Sequence, residues 1–145
     1  MSKVFVDTNL VVYTMDVAEP EKRDKCRRLL DDLTARRVGV ISTQVLQETY
    51  VVATKKLGMD PLRVRTNLKL LSPFETVLIA PPIIFEAIDC SILNTISLWD
   101  ALLVAAAASA RCDTLWTEDL NPGQTLLGVR IENPLKDDRP QIHTD

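Results

Sequence analysis

Short apolar runs and longer amphipathic stretches alternate along this chain almost from its first residue. Lys3 to Val6 reads as a short strand, carried by the β-formers Val4, Phe5 and Val6. Leu10 to Met15 reads as a short apolar helix, although Val11-Val12-Tyr13 leaves a strand open. Glu19 to Arg37 is a strong helix: acids lead it, bases end it, and Cys26, Leu29, Leu30 and Leu33 form its stripe. Val38 to Ile41 is a second strand with Gly39 in it or just before it. Ser42 or Thr43 caps a helix that runs to about Leu57 and stops at Gly58.

Asp60-Pro61 supplies a cap and a first-turn proline for the next helix, which carries Leu62, Leu68, Leu70 and Leu71 and ends before Pro73. Thr76 to Ile79 is a third strand. Pro81-Pro82 opens a helix through about Leu93, with Ile84, Ala87 and Ile88 inward. Ser97 opens another, apolar almost all round from Ala101 to Ala108 and therefore buried on most sides. Thr114 to Trp116 is a fourth strand and Val129 to Ile131 a possible fifth. Strands alternating with helices predict a parallel sheet covered on both faces. The fold class expected is α/β, a single three-layer α/β/α domain with a four- to five-stranded parallel sheet over residues 1–133. A polar tail covers residues 134–145.

Bulk composition narrows the function. A chain of 145 residues suits one domain, and an apolar fraction of 46% supplies a core. No apolar stretch reaches the ~20 residues a membrane span needs. The start enters a strand directly, without the features of a secretion signal, so the expected location is cytoplasmic. Cys26, Cys90 and Cys112 are widely separated, with no CxxC pair, and read as buried free thiols. His143 is the only histidine, which sets aside histidine-based catalysis and multi-histidine metal sites.

The formal charge of −3, from 17 basic and 20 acidic side chains, does not advertise a nucleic-acid binder. The charge is uneven, however: Lys22, Arg23, Lys25, Arg27, Arg28, Arg36 and Arg37 fall in one stretch, followed by Lys55 and Lys56. Such a run is either a solvated helix face or a surface that tracks phosphates.

Four carboxylates change the picture: Asp7, Glu48, Asp100 and Asp119. Each sits at an element boundary or within an apolar run, where a carboxylate is costly unless it is paired or holds a cation. Asp7 ends the first strand and Asp119 follows the fourth, so both belong at the carboxyl rim of the sheet, where ligands gather. Glu48 shares a helix face with Val45 and Val52, and Asp100 shares one with Leu103, Val104 and Ala107. Each also has a plainer reading. Asp7 would cap the Leu10 helix, Asp100 would complete a capping box with Ser97, Glu48 would pair with Lys55 or Lys56, and Asp119 would be a turn residue.

The start Val6-Asp7-Thr8-Asn9 resembles the PIN-domain family, and in particular VapC-like toxin ribonucleases. Three more segments match in order: Gln47-Glu48-Thr49-Tyr50, Ser97-Leu98-Trp99-Asp100-Ala101 and Leu115-Trp116-Thr117-Glu118-Asp119. The likeness spans about residues 3 to 133. It implies a ribonuclease dependent on Mg2+ or Mn2+, with Asp7, Glu48, Asp100 and Asp119 as its acidic quartet. Asp7 and Asp100 would ligate the principal ion, while Glu48 and Asp119 would act through waters or hold a second. Water would be the nucleophile, leaving a 5′-phosphate and a 3′-hydroxyl. Thr8, Asn9, Thr117 and Glu118 would aim the carboxylates, with Asp119 favoured over Glu118 as the fourth acid.

The same resemblance implies an RNA substrate, a small antitoxin partner and a homodimer. Arg23, Arg27, Arg28, Lys55 and Lys56 are candidates to guide the RNA, and Leu46 to Leu71 offers a docking groove for the antitoxin. Trp99 would lie near the site and Trp116 in the core. The main rival is a PIN-like module that binds RNA or protein without cutting. A dehalogenase-like phosphatase needs a second aspartate where Asn9 stands, and a dinucleotide enzyme needs a glycine-rich turn where Asp7-Thr8-Asn9-Leu10 stands.

Overall fold

A computed structural model describes residues 2–136. Six strands form one sheet in the order β3-β2-β1-β4-β6-β5. The strands are β1 (Val4–Val6), β2 (Gly39–Ser42), β3 (Glu75–Val77), β4 (Thr114–Trp116), β5 (Thr125–Leu126) and β6 (Val129–Glu132). All neighbours are parallel except β5, which runs antiparallel to β6. The parallel part thus has five strands, as the upper end of the sequence reading expects. The short β5 is an addition to it.

Six helices connect them: α1 (Thr8–Tyr13), α2 (Pro20–Arg36), α3 (Thr43–Lys55), α4 (Pro61–Lys69), α5 (Pro81–Asn94) and α6 (Leu98–Ser109). The helix starts follow local chemistry. The hydroxyl of Ser42 accepts the Val45 amide, Asp60 accepts that of Arg63, and Ser97 accepts that of Asp100. Proline stands in the first turn of α2, α4 and α5. The region left open at Val11-Val12-Tyr13 is helical, with Leu10, Val11 and Val12 buried.

α1 packs against α2 and α3, and α3 against α4; α5 packs along α6, which crosses β2, β4 and β6. The chain lays β1, β2 and β3 outward in one direction, then returns past β1 to place β4 on its other side. With right-handed crossovers that reversal puts α1–α4 and α5–α6 on opposite faces, giving three layers. The core is the sheet itself plus α6, in which Ala101 to Ala107 are all buried.

Two local expectations change. Ile84 is exposed, whereas Ile83 packs on the core and Ala87 and Cys90 are buried, so α5 turns a neighbouring face inward. The tail expected from Pro134 begins packed: Pro134 is buried and Leu135 lies against the core. From residue 137 onward, His143 included, it lies outside the described residues. Among the described residues no single helix is long and apolar enough to cross a membrane. α5 and α6 have the combined composition, but they meet at a 120° bend and α6 is a core helix.

Candidate active site

The strand order reverses between β1 and β4, and open sheets of this kind hold ligands in the crevice outside the strand ends at such a point. Asp7 and Thr117 are the residues that follow these two strands. Their backbones are pinned there: the Asp7 amide donates to the Trp116 carbonyl at 3.0 Å, and the Thr117 amide to that of Glu132 at 3.0 Å. α3 leaves β2 at the same rim and carries Glu48. α6 runs back from the rim to feed β4, so its first turn, with Asp100, stays at the rim.

The side chains form a connected belt. The Thr117 hydroxyl donates to Oδ2 of Asp7 at 2.8 Å and accepts the Asp119 amide at 3.0 Å. Asp7 also accepts the Thr8 amide, and the Thr8 hydroxyl donates to Oε1 of Glu48 at 3.2 Å. The Gln44 amide nitrogen donates to the same Glu48 oxygen at 3.1 Å and to the Trp99 carbonyl at 3.2 Å, next to Asp100. Asn9 reaches the Asp119 carboxylate at 3.4 and 3.5 Å.

The electrostatics match this crowding. Asp7 is 3% exposed, and burial pushes its carboxyl up to about 7 from 3.8. The Thr117 hydroxyl and the Thr8 amide pull it down, while the negative charges of Asp119 and Glu48 push it up. Asp119 is also raised, by desolvation first and then by Asp100 and Glu118, against a hydrogen bond from Asp7. Hydrogen bonds, rather than a cation, pull against these two shifts.

A hard divalent ion fits this donor set, which is made of carboxylate oxygens held around the buried Asp7 by hydroxyl and amide groups. Among the described residues no three His, Cys, Asp or Glu side chains converge closely enough to grip an ion on their own. Magnesium is commonly held by one or two carboxylates with several waters retained, a demand that Asp7 and a neighbouring acid meet.

Glu118 turns elsewhere. Its carboxylate is 3.9 Å from the Lys22 ammonium, which lies 4.9 Å from the Tyr13 ring centre and donates to the Tyr13 hydroxyl at 3.4 Å. Lys22 belongs to the basic stretch noted in the sequence, whereas Gln44 and Tyr13 were not singled out there. Gln44 carried a usable signal, since it precedes Glu48 by one helical turn and shares its face.

The other expected positions are dispersed. Trp116 packs on the core, and Trp99 is 62% exposed beside Asp100. Arg27 and Lys56 line a cleft of about 700 Å3 between α2 and α4, whose walls include none of the four acids. Arg27 donates to the Thr14 carbonyl there, and Arg23 pairs with Asp24. Leu46, Tyr50, Val51, Pro61, Leu62 and Leu68 line a separate apolar groove of about 560 Å3 between α3 and α4.

A PIN domain family model matches residues 4–124. Among solved structures the chain is similar to VapBC2 from Rickettsia felis bound to a promoter DNA fragment. The identity is 20% and the TM-score 0.67, covering 90% of this chain and 97% of that one. It is similar to VapC20 of Mycobacterium tuberculosis, a sarcin-ricin loop cleaving toxin, at 18% identity and TM-score 0.66, covering 88% and 99%. DNA-bound VapBC from Salmonella typhimurium matches at 21% identity and TM-score 0.67, covering 92% and 98%. No curated protein matches the chain. At these identities the likeness to the solved structures is one of fold.

Proposed function

The chain belongs to the PIN-domain family, and from that premise we propose that it is a metal-dependent endoribonuclease, the toxin of a toxin–antitoxin pair. The observation that carries the reading is geometric: hydrogen bonds from Thr8, Gln44, Asn9 and Thr117 gather Glu48 and Asp119 around the buried Asp7. A protein that used these side chains only as helix caps would have no reason to hold several negative charges together.

In this reading Asp7, Glu48, Asp100 and Asp119 would hold Mg2+ or Mn2+, directly or through waters. Such an ion would supply a water of lowered pKa and neutralise charge on the phosphate under attack. The chain's own residues prepare the site. Thr117 and Thr8 fix both oxygens of Asp7. Thr8 and Gln44 both donate to Oε1 of Glu48 and so fix the aim of its carboxylate. Asn9 steadies Asp119. Lys22, at the edge of this group, offers positive charge to an approaching RNA backbone.

Partners follow from the surface and the neighbours. The structures the chain resembles include toxins in VapBC complexes, and we extend that assembly to this chain, working in the cytoplasm as a homodimer. The α3–α4 groove exposes Leu62 at 72%, Val51 at 49% and Tyr50 at 40%, an apolar surface suited to a helix of an antitoxin. Residues 1–133 are taken as the nuclease domain, with the remainder as its tail.

The test is cleavage of a structured RNA by wild type and Asp7→Asn, with Mg2+ and with EDTA. The expected result is cutting by wild type with Mg2+ alone, leaving 5′-phosphate ends. Binding of RNA without cutting under every condition would instead make the protein a silent PIN-like module.

A further inference from the structure

We infer that Gln44 is a positioning residue for the acidic site: its one amide nitrogen ties the Glu48 carboxylate to the Trp99 carbonyl, and so sets α3 against the helix turn that carries Asp100. The inference rests on the ion-dependent reading above and deepens it.

Gln44 is 7% exposed and lies in the first turn of α3. An amide nitrogen has two hydrogens. Here both are in use, one toward Oε1 of Glu48 at 3.1 Å and one toward the Trp99 carbonyl at 3.2 Å. The amide oxygen is buried with no hydrogen-bond partner among the described residues. An orphaned buried acceptor is destabilising, because its desolvation is not repaid by a hydrogen bond. Turning the amide over to satisfy it would set an oxygen against a carboxylate and a carbonyl, so the observed orientation is the only one compatible with both neighbours.

A residue kept only for packing would be better served by methionine or leucine, which leave no orphan. What the amide adds is a link between two parts of the acidic group that are 52 residues apart in sequence. Without it Glu48 keeps, among the described residues, the Thr8 hydroxyl, and Trp99-Asp100 loses its bond to α3 through this side chain. The ion would then meet carboxylates whose spacing is no longer fixed in advance.

The experiment uses the full chain as wild type, Gln44→Met and Thr49→Val. Thr49 is buried one residue from Glu48, and its hydroxyl also has no partner among the described residues, so its replacement disturbs the same helix without touching the belt. Mn2+ binding is followed by calorimetry, folding by thermal denaturation, and cleavage of a structured RNA by initial rates. The expected result for Gln44→Met is a half-saturating Mn2+ concentration raised about tenfold, with kcat lowered and the KM for RNA unchanged. Thr49→Val should titrate as wild type.

A Gln44→Met that loses thermal stability yet binds Mn2+ and turns over as wild type overturns the inference and leaves the nuclease reading intact. So does a Thr49→Val that weakens Mn2+ binding equally. If Gln44→Met does not fold, Gln44→Asn, one methylene too short for both acceptors, carries the same expectation. A wild type that neither binds Mn2+ nor cleaves RNA overturns the ion-dependent reading and this inference with it.

Discussion

Thr117 and Asp7, 110 residues apart in sequence, meet through a buried hydrogen bond of 2.8 Å between the threonine hydroxyl and Oδ2. Because the same hydroxyl accepts the Asp119 amide, its hydrogen can point only toward Asp7. One side chain therefore orients the two acids that leave β1 and β4. Thr117→Val keeps the volume and removes both bonds. Asp7 loses the strongest influence holding its pKa down, and the Asp119 turn loses its acceptor. The expected outcome is RNA cleavage reduced about 10- to 100-fold and stability lowered by about 1–3 kcal/mol, with Thr117→Ser close to wild type. Initial rates and thermal denaturation of the two variants check it.

The raised pKa of Asp7 has a defined sign in stability. Its carboxyl titrates near 3.8 in the unfolded chain and near 7 in the folded one. Below pH 4 both states are protonated and the group contributes nothing. Between pH 4 and 7 the folded state binds the extra proton, so the protein loses stability as pH rises; above 7 the full cost is present. Held ionised against that preference above pH 7, the buried carboxylate costs the fold roughly 4 kcal/mol. In EDTA, Asp7→Asn should melt several degrees above wild type at pH 8 and level with it at pH 4. Saturating Mg2+ should raise the wild type at pH 8, by about 2.7 kcal/mol at a hundred times Kd, and leave Asp7→Asn unmoved. Melting curves across pH with and without Mg2+ decide it, and equal curves for the two proteins at pH 8 in EDTA would refute it.

Much of this fold was legible because local chemistry and long-range packing agree. Ser42, Asp60 and Ser97 cap the helices their sequence positions announce, and the Ala101–Ala107 run is the buried core helix its uniform apolarity predicts. Strand β5 was not legible. Its hairpin to β6 turns on Leu127 at φ 50° and Gly128 at φ 79°, where a leucine takes the left-handed conformation in place of the usual Asn or Asp. The inward face of α5 was misread because apolar residues surround the helix, so periodicity could not choose between Ile83 and Ile84. At the site, carboxylates at element boundaries stood out. Thr8, Asn9 and Thr117 were named beside them through the family resemblance, and each does bond a carboxylate; Gln44 was not, because its bond to the Trp99 carbonyl depends on the crossing of distant elements.

Gly39 begins β2 beneath the ring of Phe74, and a Cβ at this position would overlap that ring. Its φ is not in the left-handed region, so the demand is for space alone. Gly39→Ala must displace Phe74, which is 6% exposed and part of the core. Overpacking of this kind costs about 1–3 kcal/mol. Denaturant unfolding should show that loss for Gly39→Ala, and a second change, Phe74→Leu, should recover part of it in the same chain. A Gly39→Ala protein as stable as wild type would show that the β2–Phe74 contact is looser than described.

Glu118 and Asp119 are adjacent in sequence but belong to different neighbourhoods. Asp119 takes the Asn9 amide, feels the charges of Asp100 and of Glu118 itself, and is hydrogen-bonded toward Asp7. Glu118 faces Lys22 and Tyr13, on the side toward α1 and α2. The ion pair is long and partly exposed, so its contribution to stability is small, at most about 1 kcal/mol. Asp119→Asn should therefore abolish most RNA cleavage and raise the Mn2+ needed for half-saturation, because it removes a charge from the acidic group. Glu118→Gln should keep cleavage within a few-fold of wild type and change mainly the salt dependence of RNA binding, because Lys22 is then released to meet phosphate. The comparison is a pair of rate measurements over a Mn2+ series and a salt series. Retained activity in Asp119→Asn with loss in Glu118→Gln would exchange the two roles, and would require Glu118 to swing away from Lys22 when the ion binds.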